Sequence, residues 1–353
     1  MAEIKEGEAS DSKKRAVSLI KSGIVFLFLV GITLLVLFRN QDWPAIIKSL
    51  SMAKGQYLII AFFCMCIFTF AEGCNIRRGL RLFGCETSYI RGIKYAIVGF
   101  FFSSITPSAT GGQPMQLYYM HKDCYSMAHS SLALLLELIS YQMVTIIYAL
   151  VGFAVKWEFL SNTVGNIKYL FAVGVLLNLA LLLLIGIAIF SKRLIFKLVQ
   201  GVLKIVKLLS PKHLSAWEQK AHEMVGEYQS SAIYIKENKM FMLRMLFTTL
   251  VQITALHSIP FWIYHSFGLA QYGFWDIVLL QAVMFIAVSA LPLPGTVGVS
   301  ESGFMILFKT LFPGIYLSSG MLLSRGISFY LFVAVTGLSL AIISLRNKWK
   351  RTA

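Results

Sequence analysis

Two interrupted apolar stretches decide how this chain folds: Gly99-Phe-Phe-Phe-Ser-Ser-Ile-Thr-Pro-Ser-Ala-Thr-Gly-Gly-Gln-Pro114 and Val288-Ser-Ala-Leu-Pro-Leu-Pro-Gly-Thr-Val-Gly-Val-Ser-Glu301. Each has an apolar arm, a Pro/Gly break and a second helical arm, and each carries Pro-x-x-x-Gly, at Pro107 to Gly111 and at Pro294 to Gly298. Proline removes a backbone donor and glycine permits positive φ. Unwound backbone is therefore expected at Pro107, Gly111, Gly112 and Pro114, and again at Pro292, Pro294, Gly295 and Gly298. At membrane depth such backbone is tolerated only where protein or a wet cavity satisfies it.

What surrounds the two breaks places them in a membrane. Of the 353 residues, 57% are hydrophobic and only 14% charged, which does not describe a soluble surface. A spanning helix needs roughly 20 mostly apolar residues. Six stretches meet that need: Gly23–Phe38 with its flanks, Tyr57–Ala71, Ser126–Val155, Tyr169–Phe190, Met245–Phe267 and Ile327–Leu345. Two more regions, about 90–122 and about 274–318, are apolar but broken.

The basic residues orient the spans. Lys plus Arg number 32 against 16 Asp plus Glu, a net charge of +16. In so apolar a chain this excess belongs in loops facing an anionic inner leaflet, not on nucleic acid. Lys5, Lys13, Lys14, Arg15 and Lys21 lie in the N-terminal tail, Arg77, Arg78, Arg81, Arg91 and Lys94 in the second loop, ten basic residues in 191–244, and Arg346, Lys348, Lys350 and Arg351 at the C-terminus. These segments are assigned to the cytoplasm, and the poorer loops around Arg39 to Lys54, Lys156 to Lys168 and Gly268 to Trp275 to the outside. The first broken region must then enter and return from the inner face, and the second from the outer face. The expected fold is an all-α polytopic membrane protein with six full spans and two oppositely oriented re-entrant hairpins, as in inverted-repeat transporters.

The expected organisation is a cytoplasmic tail at 1–22, retained rather than cleaved because no small-residue cleavage site follows it, a first membrane half at 23–190, cytoplasmic helices at 191–244, a second membrane half at 245–345 and a basic tail at 346–353. Within Leu194–Leu209, Lys197, Gln200, Lys204 and Lys207 recur at helical spacing opposite an apolar face, a basic amphipathic helix suited to the inner leaflet. Cys64, Cys66, Cys74, Cys85 and Cys124 form no CxxC pair and have no histidines at metal spacing, so neither zinc nor a disulfide framework is expected. No G-x-x-x-x-G-K-[ST] loop, HExxH or Ser/His/Asp cluster appears, and no cofactor is implied.

Ionisable groups inside spans are expensive and mark functional candidates. Glu137, in Leu-Leu-Leu-Glu-Leu-Ile, must face the protein interior as a proton or cation site, or as a buried carboxyl bonded to nearby broken backbone. Glu301 stands at the start of a half-helix, where the macrodipole favours a carboxylate. Arg325, at the outer end of the last span, can offset Glu301 or a lipid phosphate, or snorkel to the interface. Glu72, Arg77 and Arg78 mark the inner end of the second span, where they contact lipid phosphate or anchor the helix. His257 and His265 read as satisfied structural histidines and Asp276 as a cap. Pro114 fits the first position of a half-helix, so two helix N-termini would converge on an anion site. Ser104, Thr106, Thr110, Gln113 and Thr296 would supply its neutral hydrogen bonds.

At Ser104-Ile-Thr-Pro-Ser-Ala-Thr-Gly-Gly-Gln-Pro-Met-Gln-Leu-Tyr118 and Leu291-Pro-Leu-Pro-Gly-Thr-Val-Gly-Val-Ser-Glu-Ser-Gly-Phe304 the chain resembles the lysylphosphatidylglycerol synthase transmembrane family, which includes the flippase region of the multiple peptide resistance factor. The resemblance runs over nearly the whole chain in span order. It implies a bacterial lipid translocase in the cytoplasmic membrane that moves lysyl-phosphatidylglycerol outward and lowers attraction of cationic antimicrobial peptides. The chain ends within a few residues of its last span, so no aminoacyl-transferring domain is expected on it, and a lysyltransferase label would be inherited from the family name. The family often has arginine after the buried glutamate, whereas Leu138 follows Glu137 here, with Ile139, Ser140 and Tyr141 beyond.

Three functions follow as expectations. The first is a flippase holding a phospholipid headgroup between the opposed breaks, driven by protonation of Glu137 or Glu301; its cargo is an aminoacyl lipid, a glycolipid or a polyprenyl phosphate. The second is a membrane-embedded transferase, which lacks a visible nucleophile or metal ligands. The third is a non-transporting partner that recruits a separate lipid synthase through 191–244.

Overall fold

The computed structural model describes residues 43–106, 109–163, 167–190, 238–289, 291 and 293–352, and among these it is helical with no strand. The helices are α1 (Trp43–Met52), α2 (Gly55–Leu82), α3 (Tyr89–Ile105), α4 (Gly112–Lys122), α5 (Met127–Val155), α6 (Trp157–Thr163), α7 (Ile167–Phe190), α8 (Lys239–Ser266), α9 (Phe274–Ser289), α10 (Val299–Leu307), α11 (Tyr316–Arg325) and α12 (Phe332–Thr352). Five stretches are long and apolar enough to cross a membrane: Gly55–Leu82, Met127–Val155, Tyr169–Ile187, Lys239–Ser266 and Tyr316–Ser344. They coincide with five of the six expected spans. The sixth, Gly23–Phe38, the tail before it, Pro107, Pro292 and the amphipathic helix Leu194–Leu209 lie outside the described residues.

Helix faces follow from residue spacing. On α2, Ile59, Phe63, Ile67 and Phe70 recur at steps of four, four and three and are exposed, while Ala61, Cys64, Met65, Phe68 and Asn75 on the other side are buried. A stripe of bulky exposed apolar residues is what a lipid-facing surface requires. Lipid tails are as apolar as leucine, so helices in a bilayer gain little from hiding such residues and associate instead through close backbone packing. Small residues provide it here. A Cβ on Gly92 of α3 would collide with the Gly73 carbonyl oxygen of α2, and one on Gly152 of α5 would stand 2.6 Å from the Leu279 oxygen of α9.

The two broken regions are helical hairpins. In the first, Lys94 and Tyr95 near the start of α3 both meet Asp123 at the end of α4, at 2.6 Å each. Gln116 of α4 donates to the Tyr95 carbonyl oxygen of α3 at 3.1 Å, and at the tip Gly111 N–H donates to Thr106 Oγ1 at 2.9 Å. Burial alone would push the Asp123 carboxyl up, but hydrogen bonds from Lys94 and Tyr95 with the nearby Lys94 and Arg91 charges hold it below its ordinary value. In the second hairpin, α9 turns through a 3-10 segment, Pro294–Thr296, into α10, whose Gly303 lies on Met284 and Val288 of α9. Asp276 at the base of α9 accepts from Gly273 N–H, the expected cap, and also pairs with Lys156 just beyond α5.

Helix α5 sets the hairpins against each other. It begins four residues after Asp123 and ends next to Lys156, so its 29 residues, about 43 Å at 1.5 Å per residue, separate the two hairpin bases. The tips meet between them: Val98, Phe102 and Ile105 of the first hairpin pack with Val297 of the second and with Phe329 and Val333.

Three boundaries differ from expectation. Helix α4 begins at Gly112, so Pro114 is its third residue, which still lacks an intrahelical acceptor for the missing donor. Helix α10 ends at Leu307, and the second hairpin closes earlier than 318 because Phe308–Ile315 form the turn into the last span. That span starts at Tyr316 rather than Ile327, since α11, the π stretch Gly326–Leu331 and α12 run on without a break.

The close packing of α2 and α3 is directly testable. Gly92→Ala should lower the thermal midpoint in detergent by an overpacking cost of about 1–3 kcal/mol. Gly186→Ala, where an added Cβ meets nothing within 4 Å, should leave it unchanged or raise it.

Candidate functional site

The second break carries a closed ionic cluster. Glu301, with no exposed surface, stands in the first turn of α10 and turns back, so that its Oε2 accepts from Gly298 N–H at 2.7 Å. Gly298, at φ 88°, has no side chain with which to reciprocate, so the carboxylate alone caps this helix. Glu301 Oε1 accepts from Arg325 Nε at 2.9 Å and from Tyr330 Oη at 2.7 Å. Arg325 Nη2 also donates to the Gly295 carbonyl oxygen at 2.9 Å, and its guanidinium lies 4.5 Å from the Phe329 ring centroid. Phe329 in turn fills the space that a side chain on Gly295, at φ 57°, would need.

This arrangement corrects two readings of the sequence. Arg325 does not snorkel from the outer end of a span. It lies inside the continuous final helix with its side chain 14% exposed, at the entrance to the π stretch, and its partner is Glu301. A π insertion is a feature found often at functional positions. The second helix N-terminus is also not vacant for an anion, because Glu301 already occupies it.

The neutral hydrogen-bonding groups are mostly turned onto local partners. Ser104 Oγ donates to Phe100 O, and Thr106 Oγ1 donates to Phe102 O while accepting from Gly111. Thr296 Oγ1 donates to its neighbour Gly295 O at 2.7 Å and lies 2.6 Å from Ser300 Oγ. Thr110 is exposed in the first break, and Gln113 is half-buried in the first turn of α4. The structure thus brings Glu301, Arg325, Gly295, Gly298 and Thr296 together, leaves Ser104 bonded within its own helix and makes Thr106 a tie at the hairpin tip.

At the other end of the bundle the arginines bind protein. Arg77 Nε donates to Thr87 O at 2.9 Å and its guanidinium lies 3.9 Å from the Tyr89 ring centroid. Arg78 Nη1 donates to Asn75 Oδ1 at 2.7 Å and to Thr248 Oγ1 at 3.0 Å, joining α2 to α8. Glu137 is buried, 8% exposed, and interacts electrostatically with Glu72, which is half-buried and accepts from Gln116 Nε2 at 3.0 Å. Sequence reasoning treated Glu72 as a span-end marker. The signal it missed was Glu72 lying on the same side of α2 as Gly79, seven residues away, whose contact with Ala133 brings α5 alongside. His257 is fully buried between Tyr148 and Phe285, and neither ring nitrogen has a partner, so it is not the satisfied histidine expected. Among the described residues no group of three or more metal-ligating side chains occurs.

Long apolar helices, lipid-facing stripes and two opposed broken hairpins joined at their tips define a polytopic helical membrane protein. The chain belongs to the family described as the lysylphosphatidylglycerol synthase TM region, which matches residues 18–336. No curated protein matches it.

Removing one partner of a buried ion pair typically costs about 3–5 kcal/mol, whereas replacing both by apolar groups is often neutral. Arg325→Met should therefore lower the unfolding midpoint in detergent strongly, and adding Glu301→Leu should recover much of the loss. A double variant as unstable as the sum of the two single variants would show that the two side chains act independently.

Proposed function

We propose that this protein is a lipid translocase of a bacterial cytoplasmic membrane, with both termini in the cytoplasm, that moves an aminoacylated phospholipid such as lysyl-phosphatidylglycerol to the outer leaflet. The observation that carries this reading is the Glu301–Arg325 pair at the meeting point of the hairpins. Family membership supports it, since the family takes its description from this lipid.

The chemistry of the pair fits such a headgroup at both ends. An aminoacyl phosphatidylglycerol carries an anionic phosphodiester and a cationic amine. Arg325 offers donors to the first and Glu301 acceptors to the second, and Tyr330 and the Gly298 N–H complete the set. With no headgroup present, the two side chains satisfy each other. A headgroup that inserts exchanges one balanced ion pair for two, so no uncompensated charge is left at depth. The hairpins, re-entrant from opposite faces, would then alternate in exposing the held headgroup. Outward movement of a cationic lipid would reduce attraction of cationic antimicrobial peptides to the surface.

The test is exposure of fluorescent lysyl-phosphatidylglycerol at the outer leaflet of proteoliposomes, with phosphatidylglycerol and a polyprenyl phosphate in parallel. Wild-type protein should expose the lysyl lipid. Glu301→Gln should slow this about tenfold or more, the effect of losing a charged hydrogen bond of about 1.5–3 kcal/mol, and narrow the preference over phosphatidylglycerol. Exposure of polyprenyl phosphate alone would replace the aminoacyl lipid with a carrier lipid, and exposure of nothing would contradict transport.

A further inference from the structure

Away from the Glu301–Arg325 clamp lies a pair of acidic residues, Glu72 on α2 and Glu137 on α5. Helix register brings them together. Gly79 of α2 lies directly on Ala133 of α5. Glu72 is two turns along α2 from that crossing and Glu137 one turn along α5, and because the helices are antiparallel both lie to the same side of it. The two carboxyls interact with each other electrostatically, and both act on the Tyr141 hydroxyl.

Their surroundings are polar, and among the described residues no cationic side chain pairs with either. Glu72 accepts one hydrogen bond, from Gln116, and Glu137 has no hydrogen-bond partner among the described residues although it is more than nine-tenths buried. Neither forms an ion pair within those residues, since Arg77 and Arg78 are engaged further along α2 by Thr87, Asn75 and Thr248. Gln252 of α8, 1% exposed, has no partner for either amide atom. Its depth is bracketed by two contacts of the antiparallel α2/α8 pair, Asn75 to Thr249 at 2.9 Å and Cys64 to Ser258 at 3.5 Å. Interpolating between them places Gln252 opposite Ala71 and Glu72, one turn from Thr249 on the face turned to α2. A buried polar side chain without a partner at the depth of two carboxyls marks a place where something polar is missing.

We propose that Glu72 and Glu137 share a single proton and form the site through which protons enter the transport cycle. Two carboxylates at close range in a medium of low dielectric cannot both remain ionised without a cation between them. Among the described residues, Tyr141 is the other titratable group on which both carboxyls act. The pair is wired to the first hairpin by Gln116, whose Nε2 bonds Glu72 on the scaffold and the Tyr95 carbonyl oxygen on α3, while its backbone belongs to α4. A hydrogen bond to a carboxylate is roughly twice as strong as one to a neutral carboxyl. Proton arrival on Glu72 therefore loosens the tie between hairpin and scaffold, and proton departure tightens it. The presence of the shared proton is independent of any lipid; its role in driving movement rests on the translocase reading above.

The experiment is infrared difference spectroscopy of the full chain in nanodiscs across neutral pH, with and without deuteration. The wild type should show a deuteration-sensitive carboxylic acid C=O band that disappears in Glu137→Gln. If that variant does not fold, Glu72→Gln should change the same band in frequency or intensity. Carboxylate bands alone in the wild type would overturn the proposal, whether or not sodium shifts them. A second arm imposes a pH gradient on proteoliposomes: exposure by the wild type should change several-fold and exposure by Glu137→Gln should not respond. Failure of the gradient with the infrared band intact would refute the coupling and keep the proton site. A wild type that exposes no lipid, with the band intact, would refute the translocase reading alone.

Discussion

Unwound backbone inside an apolar layer must find a partner for each amide and carbonyl it exposes, and at the second break Glu301 and Arg325 provide those partners. The carboxylate takes the Gly298 N–H and the guanidinium takes the Gly295 carbonyl oxygen, so the ion pair replaces the helical hydrogen bonds that the break forgoes. The same pair joins the hairpin to the final helix at its π stretch, and the first hairpin's tip packs on that junction through Ile105, Val297 and Phe329. One buried ion pair thus sets the geometry of the break, the approach of the last span and the contact between hairpins.

Around this centre the bundle is held by close approach more than by the burial of large side chains. Gly73 against Gly92, Gly79 against Ala133 and Gly152 against Leu279 bring backbones together where lipid offers no hydrophobic advantage. Each hairpin is also tied at its base by an ion pair, Lys94 with Asp123 and Lys156 with Asp276, one at each end of α5. Firm bases and tips that meet through apolar contacts and one ion pair leave the tips as the part able to rearrange.

Five of the long spans and both breaks were legible in the sequence because they depend on local properties: apolar length, proline and glycine. Arg325 was assigned to a span end because the last span was read as beginning at Ile327, whereas a π stretch joins Tyr316–Arg325 to the helix beyond. The partner of Glu301 could be named as an option, but only three-dimensional packing brings residues 24 apart in sequence to 2.9 Å. The pairing of Glu72 with Glu137 escaped notice for the same reason, since it depends on Gly79 touching Ala133 on another helix. Ser104, Thr106 and Thr296 were expected to face a ligand, but a hydroxyl beside a helical or strained carbonyl finds that acceptor first.

The claim on which the rest turns is that the hairpins open to opposite faces of a membrane. Cys124, exposed at the base of the first hairpin, and a cysteine placed at Gln271, exposed before the second, report on it in variants lacking the other cysteines. A membrane-impermeant thiol reagent applied to right-side-out and inside-out vesicles should label Cys124 only from the cytoplasmic face and Gln271→Cys only from the opposite one. Labelling of both positions from a single face would contradict the opposed arrangement and the transport reading built on it.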